Sequence, residues 1–259
     1  MRKWRPTYKA IYVIPEVHGN MKSLEIILTR ILPLRFSIGQ DDVLIMLGDY
    51  IDGHDDGAYV IEALINVKNE DENVIFLRGN HEEFMLKAIS GDEKDFAHWI
   101  ENGGISTISS YLRMNNLKSD PYSIPRNRIY DIVPKHHLDF LNGLQYTHVC
   151  DDYFFMHGSF NHQKSIAENS LTNFALDDTA SKYVKTSVKN NEKLAFIDDY
   201  IYVAAHNFMS EVPFIHQKYM MLGGAAPAKL HLFELNSMTA AMIKNGKSRI
   251  YKYNFKIYE

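Results

Sequence analysis

Five short segments place metal-ligand residue types directly after an apolar run. Glu16 and His18 follow Ala10 to Ile14, in Pro15-Glu16-Val17-His18-Gly19-Asn20. Asp49 and Asp52 follow Val43 to Leu47, in Gly48-Asp49-Tyr50-Ile51-Asp52-Gly53. Asn80 and His81 follow Val74 to Leu77, in Arg78-Gly79-Asn80-His81-Glu82. His157-Gly158 follows Tyr153 to Met156, and Ala205-His206-Asn207 follows Tyr200 to Ala204. Carboxylates, imidazoles and an amide, with no thiol among them, suit hard or borderline divalent ions such as Mn2+, Fe or Zn2+. Each segment alone has a plainer reading. Gly48-Asp49 could be a strand-end turn, Asn80 a helix cap, and His157-Gly158 nothing more than a strand end. Five core strands that all end this way make one converging site the better explanation. The glycines beside the ligands let the backbone turn sharply and approach closely.

The elements around these segments alternate. Met21, Leu24, Ile27, Leu28 and Ile31 have helical spacing, as do Val60, Ile61, Leu64 and Ile65, and Phe84 to Ile89 begins a third helix. This strand–helix order predicts an α/β fold with parallel strands covered by helices. Strand candidates that are apolar throughout, without alternation, fit strands buried on both faces. In such sheets ligands sit beyond the carboxyl ends of the strands, where all five segments fall. From about Gly91 to Val149 the pattern changes. Trp99, Leu112 and Lys135 to Leu144 read as helical, with Pro121, Pro125 and Pro134 breaking the stretch, so this is an insertion of helices and loops within one domain spanning 1–259. The tail is strand-rich: Tyr219 to Leu222, Leu230 to Leu235, Met238 to Ile243 and Arg249 to Phe255. Asn245-Gly246 marks a hairpin between the last two, and an antiparallel meander is expected there, giving a mixed second sheet.

Composition narrows the function. The chain has 259 residues, a net charge of −4, 46% hydrophobic and 23% charged residues. That is ordinary for a globular protein, and the lack of a basic track speaks against nucleic acid as a partner. Cys150 is the single cysteine, so no internal disulfide and no thiolate cluster can form, and a cytoplasmic setting is expected. The apolar run at Ala10 to Ile14 is too short for a signal-peptide core, and no stretch reaches the roughly 18 apolar residues of a membrane span. His136-His137, His148 and His162 read as surface residues. Asp151-Asp152, Asp177-Asp178 and Asp198-Asp199 read as turns or caps.

At the five segments the sequence resembles the phosphoprotein phosphatase branch of the calcineurin-like metallophosphoesterases, which includes bacterial and phage serine/threonine phosphatases and symmetrical diadenosine tetraphosphatases. The family pattern GDxHG, GDxVDRG, GNHE, HG and GH is matched here by PEVHG, GDYIDGH, RGNHE, MHGS and AAHN. His98-Trp99-Ile100-Glu101-Asn102-Gly103-Gly104 and Leu222-Gly223-Gly224-Ala225 extend the likeness, which runs from about Ala10 to Leu235. The resemblance implies a sandwich of two mixed β-sheets packed face to face with flanking helices. It also implies two divalent ions, with Mn2+ expected first. Glu16 and His18 would hold the first ion, Asp49 would bridge, and Asn80, His157 and His206 would hold the second. It implies in-line attack on phosphorus by a water activated between the ions, with His81 as general acid oriented by Asp52.

Three departures bear on function. Glu16 and Pro15 stand where the family has Asp and Gly. Gly53 stands where the family has a phosphate-clamping arginine, whose bidentate fork is hard to replace. A second clamp arginine has no match, since Leu171 to Lys185 contains none. Arg78 and His54 are left as substrate-binding candidates, with Lys164, Lys182 and Lys185 as further substitutes. The first reading is an active metal-dependent phosphatase acting on phosphoprotein or a small phosphate ester. The alternatives are a pseudophosphatase that binds a partner, which the missing arginines favour, and a dinucleoside polyphosphate hydrolase. A nuclease stands behind these. Activity is preferred because drift in an inactive chain would erode the metal ligands along with the clamp. Asp52 favours the phosphatase form over the dinucleotide form.

Overall fold

A computed structural model describes residues 8–32, 41–161, 164–176, 190, 199–206, 214–222, 229–236, 239–244, 247–252 and 256–258. The first half follows the alternation read from the sequence: β1 (Ala10–Ile14), α1 (Met21–Ile26, running on as a π-helical turn to Ile31), β2 (Asp42–Met46), α2 (Gly57–Glu70), β3 (Val74–Phe76) and α3 (Asn80–Ser90). β1 pairs in parallel with β2, and β2 with β3. Helices α4 (Glu93–Trp99), α5 (Ile105–Met114), α6 (Ile129–Ile132) and α7 (Lys135–Asn142) lie in the stretch between Gly91 and Val149. The prolines punctuate it as their missing N–H dictates: Pro121 opens a 3-10 turn, and Pro125 and Pro134 sit just before a 3-10 turn and α7.

The second sheet begins inside that stretch. β4 (Thr147–Cys150), which the sequence pattern did not suggest, turns at Asp151-Asp152 and pairs antiparallel with β5 (Tyr153–Met156). The Asp pair is a turn, as expected, with Asp151 at φ 51°. A short helix, α8 (Asn173–Leu176), precedes β6 (Ile201–Ala204). β7 (Phe214–His216), β8 (Tyr219–Met221), β9 (Lys229–Glu234), β10 (Thr239–Lys244), β11 (Lys247–Lys252) and β12 (Lys256–Tyr258) complete the chain. Among the described residues the sheet orders are β11-β10-β9-β1-β2-β3 and β12-β7-β8-β6-β5-β4, and both sheets are mixed. One expectation is corrected. The antiparallel meander β9-β10-β11 does not build the second sheet. It extends the first, because β9 pairs with β1 through Tyr12 and Val13. The register Lys244↔Lys247 leaves two residues for the hairpin loop, although Asn245 and Gly246 themselves lie outside the described residues.

Alternate residues of the strands face two different cores, which is the period of two of a β-strand. Ile11, Val13, Val43 and Ile45 meet Phe155, Val203 and Met220, so the two sheets pack face to face. Tyr12, Ile14, Leu44 and Met46 meet Leu24, Ile61, Leu64 and Met85 of the covering helices. On the far face of the second sheet, Phe154, Tyr202 and Tyr219 pack with Phe160 and Phe174. Burial on both sides explains the unbroken apolar runs. It also fixes the strands whose C-terminal ends carry the polar residues. None of the described helices is long and apolar enough to cross a membrane.

Candidate metal centre

The strand ends bring the six expected ligands into one cluster about Asp49. Asp49 Oδ2 lies 3.5 Å from His18 Nε2, 3.2 Å from His157 Nε2 and 4.0 Å from His81 Nε2. Its other oxygen accepts the backbone N–H of His81. His157 Nε2 is also 2.9 Å from Asn80 Oδ1. Glu16 Oε2 is 3.6 Å from His18 Nε2, while its Oε1 accepts the backbone N–H of His206 at 2.7 Å. The rings of His157 and His206 are 5.2 Å apart. Two overlapping sets of ligand atoms result, His18-Asp49-His81 and Asp49-His157-His206, and they share Asp49. Most of these side chains are buried, with His157 fully so, whereas His18 and His81 keep 19% and 17% exposure and mark the open side.

The backbone is bent to make this arrangement. His18, Asp49, Asp52 and His206 all have positive φ, between 43° and 63°. That left-handed conformation costs a non-glycine residue about 1–3 kcal/mol and clusters at functional sites. Gly48 is required by close approach as well as by its φ of 109°. A Cβ there would lie 2.4 Å from the backbone nitrogen of Gly79. The residue that organises the turn is Glu82. It is fully buried and accepts four backbone N–H groups: Asp49 (2.8 Å) and Gly79 (2.9 Å) on one oxygen, Tyr50 (2.7 Å) and Ile51 (3.3 Å) on the other. Sequence reasoning gave Glu82 no role. The available signal was a glutamate three residues past Gly79, the N-cap of α3, where a side chain turns back to free N–H groups. Since Gly79 is the cap, Asn80 is not. It is the first residue of α3, and its amide reaches His157.

Charge decides what the cluster can hold. Burial alone would favour neutral imidazoles. Glu16, Asp49 and Glu82 outweigh it at His18, which is lifted to about 10, and Asp49 and Glu16 likewise raise His157. Burial would also raise the carboxyl of Asp49, yet the surrounding imidazoles hold it well below the usual range. Burial and the neighbouring His157 push His206 down to about 4, leaving it neutral with a lone pair to offer. His157 donates from Nδ1 to the Leu47 carbonyl at 2.9 Å, which directs Nε2 at Asp49. Such a partner on the far nitrogen is what orients a metal-bound histidine. The site attracts positive charge and presents oxygen and nitrogen donors only, so its residues fit divalent cations.

The model of the calcineurin-like phosphoesterase family matches residues 9–236. The chain belongs to the calcineurin-like phosphoesterases. That family binds a dinuclear divalent metal centre, supporting metal-dependent hydrolysis of phosphoesters. No curated protein matches the chain significantly. Solved structures share the fold at low identity. A point mutant of a cold-active protein tyrosine phosphatase aligns at 17% identity and TM-score 0.58, covering 95% of this chain and 82% of its own. A protein provisionally described as a diadenosine tetraphosphatase aligns at 13% and 0.54, covering 95% and 94%. A protein serine/threonine phosphatase from Saccharomyces cerevisiae aligns at 12% and 0.50, covering 96% and 81%.

The remaining candidates divide. His81 Nδ1 is 2.8 Å from Asp52 Oδ2, and Asp52 is fully buried. His54 donates from Nδ1 to the His18 carbonyl at 2.9 Å, which holds its ring beside the first ligand loop with Nε2 unengaged in that bond. Arg78 corrects the expectation of a substrate contact. Its guanidinium is buried and donates to Glu83, Tyr146 and the carbonyls of Leu141 and Asn142, tying β3 and α3 to the end of α7. His137 is a second correction. It is fully buried, not a surface residue, with Nδ1 on the Tyr111 hydroxyl (3.0 Å) and Nε2 on Glu62 (2.7 Å), where exposed His136 also binds (3.0 Å). Lys182, Lys185, His162, Asn207, Asp177-Asp178 and Asp198 lie outside the described residues.

Proposed function

We propose that the chain is a phosphomonoesterase that acts on phosphoprotein, with Glu16, His18, Asp49, Asn80, His157 and His206 holding two divalent ions, Mn2+ first among them. The observation that carries this reading is the division of the cluster. Glu16, His18, Asn80, His157 and His206 gather about Asp49, and His81, with Nε2 4.0 Å from Asp49 Oδ2, has its far nitrogen bound to a buried carboxylate. A purely structural metal site has no need for the second part. When bound, the ions supply Lewis acidity toward the phosphoryl oxygens and a water activated for attack on phosphorus. The chain's residues do the rest. Asp49 sits between the two ligand sets and balances charge for both. His18 and His81, the partly exposed pair, form the side from which a phosphate ester enters. His81 keeps its Nδ1–H on Asp52 and presents Nε2 for the proton that the leaving oxygen needs.

The phosphate clamp is the open part. Gly53 offers no side chain, and the two terminal nitrogens of Arg78 are bound within the fold, so we assign some of the anion contact to His54. Its Nδ1 bond to His18 fixes the ring and leaves Nε2 for an oxygen of the substrate. A single imidazole is a weaker clamp than a guanidinium fork, which predicts a high KM. The lone, buried Cys150 suits a reducing, cytoplasmic setting.

The test is hydrolysis of a phosphoserine peptide, of 4-nitrophenyl phosphate and of diadenosine tetraphosphate by the Mn2+-loaded chain, beside Asp49→Asn and His54→Ala. Release of phosphate from the peptide, lost in Asp49→Asn and with raised KM in His54→Ala, supports the reading. Cleavage of the dinucleotide alone would favour a dinucleotide hydrolase. No turnover of any ester would favour a pseudophosphatase.

A further inference from the structure

Asp52 is bound by more than His81. Its Oδ2 accepts the indole N–H of Trp99 at 3.1 Å as well as the His81 Nδ1–H, and its Oδ1 accepts the Thr107 hydroxyl at 2.6 Å. The Thr107 oxygen in turn accepts the backbone N–H of Asp52 at 3.0 Å. Asp52, Trp99 and Thr107 are all fully buried. Asp52 also has a φ of 63°, a conformation that something must hold in place. Thr107 grips it at both the backbone and the side chain. Trp99 ends α4, and Thr107 lies in the first turn of α5. The turn Ile100–Gly104 between them, with Gly103 at φ 102°, brings both to the same carboxylate. Gly104 lies flat against the indole, since a Cβ there would be 2.7 Å from the ring.

We propose that Trp99 and Thr107 are positioning residues for proton donation, holding the Asp52 carboxylate in the one orientation in which it fixes His81 with Nε2–H toward the leaving group. The inference rests on the phosphomonoesterase reading. In the step concerned, the oxygen of the attacking water bonds to phosphorus as the ester P–O bond breaks. The departing oxygen takes the proton from His81 Nε2, and the water's own proton leaves to solvent. Asp52 keeps the Nδ1–H throughout and is not itself protonated. Three donors, His81 and Trp99 on Oδ2 and Thr107 on Oδ1, hold it in that geometry. Removing one donor frees the carboxylate to turn, and the histidine loses its fixed tautomer and direction. The metal ligands are untouched, because neither Trp99 nor Thr107 contacts them in any described interaction.

The experiment compares Trp99→Phe, Thr107→Val and Thr107→Ser in the Mn2+-loaded protein, with metal content measured for each. The substrates are an alkyl phosphate, whose leaving oxygen needs the proton, and 4-nitrophenyl phosphate, whose leaving oxygen needs it little. Trp99→Phe and Thr107→Val should lower kcat on the alkyl ester by roughly 10-fold or more, with little change on the nitrophenyl ester and KM unchanged. Thr107→Ser, which keeps the hydroxyl, should restore the rate. A variant damaged only in folding would lose both substrates equally, or lose metal, and that pattern overturns the inference. So does an unchanged alkyl ester rate in both variants. A parent protein that turns over neither ester overturns the phosphomonoesterase reading and takes the inference with it, whereas an active parent with indifferent variants sinks the inference alone.

Discussion

Glu82→Gln perturbs the turn that carries Asp49 without changing a candidate ligand side chain. In the parent, the two carboxylate oxygens accept four buried backbone N–H groups, two each. A glutamine keeps one acceptor oxygen and replaces the other with an NH2 donor. Two backbone N–H groups then face a donor and lose their partner, whichever way the amide is turned. An unsatisfied buried donor costs about 1–3 kcal/mol, so the change should destabilise the chain by about 2–6 kcal/mol. That is a large part of the 5–15 kcal/mol typical of a folded domain. Urea unfolding of EDTA-treated protein isolates this effect, because bound metal would add its own linkage. With an m-value of about 3 kcal/mol/M, the midpoint should fall by about 0.7–2 M at constant m. Any surviving fold should bind Mn2+ less well, since the Asp49 N–H is one of the lost contacts in one amide orientation. A midpoint shift worth less than about 0.5 kcal/mol, with metal binding intact, would refute the account of Glu82 as the brace of the turn.

Three further predictions follow from the same geometry. Gly53 has a φ of 84°, and a Cβ there would sit 3.2 Å from the His18 Cβ, so Gly53→Arg should lower stability by about 1–3 kcal/mol, read as a fall in Tm. An unchanged Tm would mean that the turn relaxes freely. His18, held at about 10 by its carboxylate neighbours, carries a proton at neutral pH and must release it to ligate a metal. Mn2+ uptake should therefore release protons and tighten as pH rises through the neutral range toward 10. Calorimetry in buffers of different ionisation enthalpy reads this directly, and uptake without proton release would contradict it. Glu62→Ala removes the acceptor of the buried His137 Nε2, and should cost about 1–3 kcal/mol in Tm without altering phosphatase activity.

The convergence of the five candidate loops was legible because each follows an apolar strand, and strand ends are where an α/β sheet collects polar residues. The destination of the meander was not. Whether β9 joins β1 or the other sheet depends on a long-range pairing between Val13 and Phe233, about which local patterns are silent. β4 was hidden because three of its residues, Thr147, His148 and Val149, are half-buried or exposed, so no apolar run marks it. Arg78 stood in a motif beside candidate ligand types, and only the position of Leu141, Asn142 and Tyr146 shows that its charge is turned inward. Glu82, Trp99 and Thr107 escaped for a similar reason. Each acts on a backbone turn or a side chain tens of residues away, and a lone Trp or Thr on a helix carries no sign of that.

The central claim is that one cluster on this chain holds two divalent ions with Asp49 between them. An anomalous-scattering map from crystals soaked in Mn2+ tests it most directly. Two peaks should appear about 3.5–4 Å apart, one beside Glu16 and His18 and one beside Asn80, His157 and His206, both in contact with the Asp49 carboxylate. A map with no peak there at saturating Mn2+, or with a single peak that Asp49 does not touch, would contradict the account.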